Sequence, residues 1–203
     1  MKHNLYFIRH GETDENVKRI VQGSSVDSEL NENGLNQGKK FYEHYKNIGF
    51  KKMYCSALKR TYQTIQSFEK SHGKIQSDRR LNEISWGEHE GKSGGEEFMR
   101  KYFSVINSWK SGDYTAKAIG GESAEELEAR CKSFLDDLDY HPGGHTLICT
   151  HGRTIRVFAC ILQNLPLSEM ENLAQKNTGL YLFSGDRNQM ECTINHSLSH
   201  LND

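Results

Sequence analysis

The chain has 203 residues, a formal net charge of −1 and 35% hydrophobic residues. This length suits one domain, or one domain with an inserted cap, and it can enclose a buried core. The near-neutral charge argues against nucleic acid and anionic membranes as partners, and no apolar run approaches membrane-spanning length. The five cysteines have neither metal-ligand nor redox spacing, which favours reduced thiols in a cytoplasmic protein.

The first predicted strand is the apolar run Leu5–Ile8, which leads directly into Arg9, His10 and Gly11. A cation and an imidazole at the carboxyl end of a strand, followed by a glycine that lets the backbone turn, are typical of an anion site. Taken alone, the same residues also fit a strand end that is capped by two polar side chains. The other motifs of the chain decide between these two interpretations.

Strands and helices alternate along the rest of the chain. A short polar helix or turn is predicted over 14–21, and Ser123 with Glu126 has the pattern of a capping box at the start of a helix. Longer helices are predicted over 35–48, 58–72, 96–110, 123–139 and 153–162, and strands over 51–55, 74–77, 146–150, 178–183 and 190–194. This alternation predicts an α/β fold with a mostly parallel sheet.

Polar residues follow several of the predicted strands. His10, Ser56 and His151 each lie just past a strand end, and the carboxyl ends of parallel strands share one rim of a sheet. His151 is followed by Gly152, in the same order as at the first strand. The section 92–120 has no strand pattern, so it is the natural candidate for a cap over that rim.

Four motifs resemble those of the histidine phosphatase superfamily, which includes the cofactor-dependent phosphoglycerate mutases. They occur in the family's order: Arg9-His10-Gly11, Ser56-Ala57-Leu58-Lys59-Arg60-Thr61, Leu81-Asn82-Glu83 and His151-Gly152-Arg153. The resemblance extends from Phe7 to about Val157. It implies a three-layer α/β/α sandwich with a small helical cap, built as a single domain over residues 1–203 with the cap at about 92–120.

The resemblance also implies phosphoryl transfer through a phosphohistidine at His10. Arg9 and Arg60 would hold phosphoryl oxygens, His151 would donate a hydrogen bond to the same group, and Glu83 would protonate the leaving group. Neutral imidazole is a competent nucleophile near pH 7, and the planar arginine fork suits phosphoryl oxygens. In-line attack requires the second ring nitrogen of His10 to stay protonated, most simply against a backbone carbonyl.

The resemblance implies further contacts with the substrate or its phosphate. The small polar residues Thr13 and Asn16 and the loop residues Gln22 and Gly23 are expected to contact the phosphate. Trp86 would form an aromatic wall, and Gly152 would begin a helix whose N-terminus favours an anion. Thr13 equally suits a helix cap. Glu88 and Glu90 rival Glu83 as the acid, but they fall at other motif positions and are predicted to stabilise the loop. No Cys/His cluster appears, so neither a metal nor a cofactor is predicted.

Three functions remain open after this step. Mutases of the family hold the substrate carboxylate with a lysine and paired arginines after the catalytic glutamate, whereas Arg100 is the single arginine between Glu83 and Arg130. A short cap and tail admit water, which favours a metal-independent phosphatase over a mutase. A non-catalytic phospho-ligand scaffold is the third reading, and the intact set of His10, Glu83 and His151 argues against it.

The substrate is predicted only as a small phosphomonoester, and a homodimer is left open. Four aromatic side chains of the cap and its base either face the leaving group or pack the cap onto the sheet: Trp86, Phe98, Tyr102 and Trp109. Two departures from the family pattern concern substrate contacts. The loop 22–27 is one residue longer than the common form and lacks an arginine, and Ala57 replaces a common proline.

Overall fold

The computed structural model describes residues 2–202. The strands are β1 (His3–Arg9), β2 (Lys52–Cys55), β3 (Gln76–Ser77), β4 (His145–Thr150), β5 (Leu180–Gly185) and β6 (Met190–Ser197). The α-helices are α1 (Asp14–Val17), α2 (Glu32–Tyr45), α3 (Lys59–Ile65), α4 (Glu69–His72), α5 (Glu96–Lys110), α6 (Ala124–Asp136) and α7 (Gly152–Gln163). Short 3₁₀ helices occupy Gln66–Phe68, Arg79–Leu81, Gly87–His89, Leu167–Asn172 and Ser199–Leu201.

The strands form one six-stranded sheet in the order β3-β2-β4-β1-β5-β6. Strands β1 to β4 pair in parallel, and β5 and β6 complete the sheet in antiparallel fashion. The strand β1 lies between β4 and β5, so Phe7 pairs with Ile148 on one side and Tyr181 on the other. The predicted mostly parallel α/β sheet is therefore confirmed.

Alternation along β1 builds two separate cores. Leu5 and Phe7 pack on the face that α5, α6 and α7 cover, whereas Tyr6 and Ile8 pack on the opposite face, under α2 and α3. A strand that is buried on both faces has to be apolar throughout, which explains its continuous hydrophobic run. Helices on both faces of the sheet give the predicted three layers.

Several boundaries differ from those predicted, and local contacts explain them. The helix α2 begins before Leu35 because the side chain of Asn31 accepts a hydrogen bond from the backbone nitrogen of Gly34, at 2.8 Å. The predicted segment 14–21 is helical only over α1. It ends there because Arg19 adopts a positive φ of 56°. The predicted capping box of α6 is confirmed, with Ser123 Oγ accepting from the Glu126 nitrogen at 3.1 Å.

The predicted helix 58–72 is broken into α3, a 3₁₀ turn and α4. At the break, Ile65 leaves helical geometry with φ −114° and ψ 3°. The tighter turn buries the Phe68 ring completely, where it packs against the rings of Phe41 and Phe50 at centroid distances of 5.9 and 5.5 Å. Tertiary packing thus outweighs the helical periodicity of this stretch.

The section 92–120 contains α5 followed by an irregular return to α6, with no strand. Its inner face is apolar, with Val105, Ile106 and Trp109 buried against the main core. The Trp109 indole donates to the carbonyl oxygen of Ala116 at 2.8 Å, which ties the return segment to the helix. No helix in residues 2–202 is both long and apolar enough to cross a lipid bilayer.

Candidate active site

A cleft of about 170 Å³ lies at the carboxyl ends of β1 and β4, with part of α5 forming one wall. Most of the side chains predicted for the site line this cleft: Arg9, His10, Asn16, Gln22, Gly23, Arg60, Glu83, Trp86 and Gly152. The other two predicted residues, Thr13 and His151, are fully buried directly behind it. The parallel strand ends therefore bring together residues that are widely separated along the chain.

His10 is buried and oriented by the turn that follows it. Its Nδ1 lies 2.7 Å from the carbonyl oxygen of Gly11, which can only accept a hydrogen bond. Nδ1 therefore carries the ring proton, and the lone pair is on Nε2. Burial, reinforced by the charges of Arg60 and Arg9, holds the pKa of His10 well below its usual value. The ring is accordingly neutral, as a nucleophile must be.

Two carbonyl groups of the loop 22–26 hold Arg60 in place. Its Nη1 donates to the Val26 oxygen at 2.7 Å and its Nη2 to the Gly23 oxygen at 2.9 Å. Arg9 is fixed in the same way, through Nη1 to the Gln175 oxygen at 2.6 Å, and its Nε is buried without a partner in the described chain. Burial lowers the pKa of each arginine to about 10, so both stay charged at neutral pH.

His151 lies beside His10, with 5.2 Å between ring centroids. Its Nδ1 faces Arg60 Nε at 3.3 Å and its Nε2 lies 2.8 Å from Ser56 Oγ. Because Arg60 can only donate, the ring proton is on Nε2 in this arrangement. With Nδ1 protonated, two N–H donors would face each other at Arg60, so that tautomer requires the 3.3 Å contact with Arg60 Nε to be released. Burial, then the charge of Arg60, holds the pKa of His151 well below its usual value.

The carboxylate of Glu90 fastens the loop 22–26 to the base of the cap. Its Oε1 accepts from the backbone nitrogens of Trp86, at 2.8 Å, and Ser24, at 3.1 Å. Its Oε2 accepts from the Ser25 backbone nitrogen at 2.9 Å and from the Ser25 hydroxyl. Gly23, at φ +56°, passes so close that a Cβ would collide with this carboxylate. Glu90 thus has the loop-stabilising position predicted for it.

Thr13 and Asn16 form a reciprocal capping box at α1. Thr13 Oγ1 also accepts from Gln22 Nε2 at 2.9 Å, so its hydroxyl is committed to the cap and the loop. Asn177, which no sequence motif predicts for the site, donates from Nδ2 to the His10 carbonyl at 3.0 Å and to Asn16 Oδ1 at 3.1 Å. Asn177 reaches His10 because the strand that follows it, β5, pairs with β1, and no sequence motif predicts this pairing.

The Glu83 side chain lies across the N-terminus of α7. Its Oε1 accepts from the backbone nitrogen and the hydroxyl of Thr154, both at 3.2 Å, and its Oε2 accepts from the Arg153 nitrogen at 3.2 Å. A carboxylate is well placed there because the free N–H groups and the helix dipole favour an anion. Gly152 begins the same helix, and Gln175 approaches it too closely for a Cβ.

Two further arginines, Arg153 and Arg156, line the cleft without having been predicted for the site. Arg153 pairs through Nη1 with Glu171, and Arg156 Nη1 lies 3.3 Å from the other oxygen of Glu171. The Arg153 guanidinium carbon lies 5.6 Å from the ring centroid of Trp86 and 5.3 Å from that of Trp109. The spacing of three residues just after His151-Gly152 places both arginines on one helical face, a signal that could have been read.

The aromatic residues of the cap divide between the two roles that were left open. Trp86 and Tyr102 line the cleft, with ring centroids 4.6 Å apart. Trp109 is buried beneath Trp86, and Phe98 packs against His89 outside the cleft lining. Within residues 2–202, no group of three acidic, histidine or cysteine side chains is arranged to hold a metal ion. Metal independence stays a prediction.

The six-stranded sheet and the buried histidine pair define an α/β protein with an arginine-lined cleft at its strand ends. The chain belongs to the histidine phosphatase superfamily (branch 1), whose family model matches residues 5–195. It is 30% identical over 177 residues to a protein provisionally named phosphoserine phosphatase 2 of Hydrogenobacter thermophilus, covering 87% of this chain and 86% of the relative.

Two other comparisons agree with this assignment. The chain is 32% identical over 183 residues to a probable phosphoglycerate mutase GpmB of Yersinia pestis, covering 87% of this chain and 82% of the relative. Its fold matches the solved structure of YhfR from Bacillus stearothermophilus with a TM-score of 0.82 at 25% identity, covering 98% and 99% of the two chains. The relatives thus share the fold but carry different names for their activities.

Proposed function

We propose that the protein is a metal-independent phosphomonoester phosphatase that works through a phosphohistidine at His10. The observation that carries this proposal is the hydrogen bond between His10 Nδ1 and the Gly11 carbonyl, 2.7 Å long. It leaves an unprotonated Nε2 in a cleft where Arg9 and Arg60 supply positive charge. A fixed nucleophile beside pre-positioned donors is the arrangement that phosphoryl transfer requires.

In the first step, His10 Nε2 attacks phosphorus, and the bond between phosphorus and the ester oxygen breaks. Arg9 and Arg60 hold the phosphoryl oxygens. For His151 to donate to the same group, its ring proton moves from Nε2 to Nδ1, with Ser56 Oγ then donating to Nε2, and Nδ1 exchanges its contact with Arg60 Nε for a phosphoryl oxygen. Glu83, in its protonated form, gives its proton to the departing alkoxide. The products of this step are the free alcohol, phosphohistidine and the Glu83 carboxylate.

In the second step, a water molecule attacks the phosphohistidine. The Glu83 carboxylate takes a proton from that water as the new phosphorus–oxygen bond forms and the bond from phosphorus to His10 breaks. The enzyme returns to its starting state and releases inorganic phosphate. No metal is needed in either step, because the arginines and His151 stabilise the charge that a metal would otherwise neutralise.

A mutase is the alternative, and one observation favours it: Arg153 and Arg156 place paired arginines in the cleft after all, on α7 rather than in the cap. The short cap supports the phosphatase, since water has to reach the phosphohistidine. We further propose that residues 92–120 form a cap on a single domain and that the substrate is a small phosphomonoester. The five free cysteines support a cytoplasmic location.

The test measures the phosphoenzyme and the released phosphate, so it does not require the physiological substrate to be known. Purified protein is incubated with p-nitrophenyl phosphate and with a panel of phosphorylated metabolites in ¹⁸O-labelled water, then quenched. We expect an acid-labile phosphate on His10 and one labelled oxygen in the released phosphate. The variant His10→Ala should lose both, whereas His141→Ala, at a half-exposed histidine that pairs with Asp139, should keep both.

Other results would separate the alternatives. A phosphoenzyme that transfers its phosphoryl group to an acceptor alcohol faster than to water would identify a mutase. Labelling that persists in His10→Ala would exclude His10 as the nucleophile. A protein that binds phosphate but neither becomes labelled nor releases phosphate from any compound would be a scaffold.

A further inference from the structure

The two arginines on α7 have no part in the phosphoryl chemistry described above. We infer that the leaving group of the substrate carries a carboxylate and that Arg153 is the residue that selects it. This inference rests on the proposed phosphatase function and adds the chemical class of the leaving group to it. Arg153 would then be a specificity-determining residue, in contact with the part of the substrate that departs.

The positive charges of the cleft extend from His10 to Trp86, and Arg156 acts at both ends, since its charge lowers the pKa of Arg9 while its Nη1 lies 3.3 Å from Glu171. Arg9 and Arg60 adjoin His10, and both of their charges lower its pKa, so they belong to the phosphoryl end. Arg153 and Arg156 lie on α7, and Arg153 adjoins the cap residue Trp86. Four arginines therefore line the cleft, although two suffice for the phosphoryl oxygens. Phosphoryl binding alone leaves the second pair unexplained.

A single carboxylate, that of Glu171, serves both arginines of the second pair. Arg153 pairs with one of its oxygens, and Arg156 lies 3.3 Å from the other. With Glu83 protonated, as the first step requires, the two guanidinium groups and the Glu171 carboxylate leave a net charge of +1 in the wall of the cleft. A monoanionic carboxylate neutralises this excess, whereas a second phosphoryl dianion would exceed it. The charge balance thus selects a carboxylate.

Arg153 is held ready for such a partner. Its side chain is only 7% exposed, and its guanidinium lies over the indole rings of Trp86 and Trp109. Glu171 fixes one edge of the fork. Because the Arg153 guanidinium is already ordered and largely desolvated, a planar carboxylate can bind to it at little entropic cost. A neutral leaving group would instead leave the excess positive charge of the arginine pair uncompensated.

The position of Arg153 along the chain also joins the two ends of the substrate site. Its backbone nitrogen donates to Glu83 Oε2 at 3.2 Å, while its side chain extends to the cap residues. The group that would protonate the leaving oxygen is therefore next to the group that would hold the same fragment. A carboxylate bound at Arg153 would orient the ester oxygen toward Glu83.

The experiment compares matched substrates that differ at the carboxylate. 3-Phosphoglycerate is paired with glycerol 3-phosphate, and O-phosphoserine with O-phosphoethanolamine. For at least one pair, we expect kcat/KM to favour the acid by about 10- to 100-fold, the range of a charge-assisted hydrogen-bonded pair. Arg153→Met should reduce that ratio to about 1, and Arg153→Lys should leave an intermediate ratio, because lysine keeps the charge but loses the fork.

The control is Arg100→Met, which removes an exposed arginine from α5 and should leave the ratio unchanged. Thermal unfolding of each variant shows whether it is folded. If Arg153→Met does not fold, Arg153→Lys still tests the inference. A wild-type ratio near 1 for both pairs, or a ratio that survives both Arg153 variants, would overturn the inference. In that outcome, phosphoenzyme formation from p-nitrophenyl phosphate would still leave the proposed phosphatase standing.

Discussion

The imidazole of His10 is held by the carbonyl of its own neighbour Gly11, with 2.7 Å between Nδ1 and the oxygen. The Gly11 nitrogen is in turn bound to Thr64 Oγ1 at 2.9 Å, so the turn that sets the tautomer is anchored to α3. A Cβ on Gly11 would collide with the Gly34 carbonyl, and the glycine is therefore required for α2 to approach. The orientation of the ring thus follows from backbone packing.

The first prediction concerns the titration of the histidine pair. Burial and the two arginines lower the pKa of His10, and burial with Arg60 lowers that of His151. In the free protein, both rings should therefore remain neutral as the pH falls through about 6.5, where an ordinary histidine becomes charged. Measurement of their ¹⁵N chemical shifts against pH, assigned with His10→Ala, tests this. A midpoint at or above that value for His10 would contradict the site described here.

The same shifts predict how stability changes with pH. Below about 6.5 the unfolded chain binds protons at these histidines that the folded chain does not, so their contribution reduces the free energy of unfolding as the pH falls. Replacing His10 with Asn should make this loss shallower. Urea unfolding at a series of pH values, for the wild type and the variant, measures the difference.

The second prediction tests Glu83 as the proton donor. An alkyl phosphate leaves as a strongly basic alkoxide, whereas p-nitrophenyl phosphate leaves as a weakly basic phenolate. Glu83→Gln should lose about 10²–10⁴-fold in kcat on an alkyl phosphate and much less on p-nitrophenyl phosphate. Equal losses on both substrates would instead assign Glu83 a structural role at the start of α7, since the amide NH2 of Gln would face the backbone nitrogen of either Arg153 or Thr154 and lose that hydrogen bond.

The third prediction concerns Glu90, which acts through the loop it holds. Glu90→Gln removes the charge and one acceptor from the contacts to Ser24 and Ser25. The carbonyls that fix Arg60 belong to this loop, so we expect the inhibition constant of inorganic phosphate to rise roughly tenfold, and the free energy of unfolding to fall by about 1–3 kcal/mol. Glu88→Gln removes the same charge two residues away and should change neither quantity.

The fourth prediction is that activity persists without divalent cations. Two histidines and the arginines already supply donors and positive charge at the phosphoryl end of the cleft. Dialysis against EDTA should leave kcat/KM within about twofold of the untreated value, a change equivalent to under 0.5 kcal/mol. Loss of activity that a divalent cation restores would require a different assignment of the cleft.

Residues at the ends of parallel strands were predictable, because strand polarity alone brings them to one rim. His10, Ser56 and His151 therefore lie together at one rim. Arg60 and Glu83, which only the family resemblance placed in the site, line the same cleft. Arg153 belongs to the motif His151-Gly152-Arg153, but in sequence it has the pattern of an ordinary polar residue in the first turn of a helix. Its position beneath the cap depends on how Trp86 and Trp109 pack, which no local pattern encodes.

The same limit applies to the cap and to the second half of the chain. The periodicity of α5 predicts which side chains are apolar but not that Tyr102 faces the cleft while Trp109 supports it from behind. Asn177 contacts the His10 carbonyl because β5 pairs with β1, and strand order is a property of the whole sheet. Long-range pairing, rather than local preference, decides these positions.

The central place of β1 in the sheet has a consequence for how the protein is made. The ribosome makes β1 before its two neighbours in the sheet, β4 and β5, which follow only from His145 onward. Closing loops of this length is costly and slow. The nascent chain therefore carries His10 long before it has the cleft, and the site can form only after β4 and β5 have been made. A chain truncated after Gln163 should accordingly show no phosphate binding in a calorimetric titration.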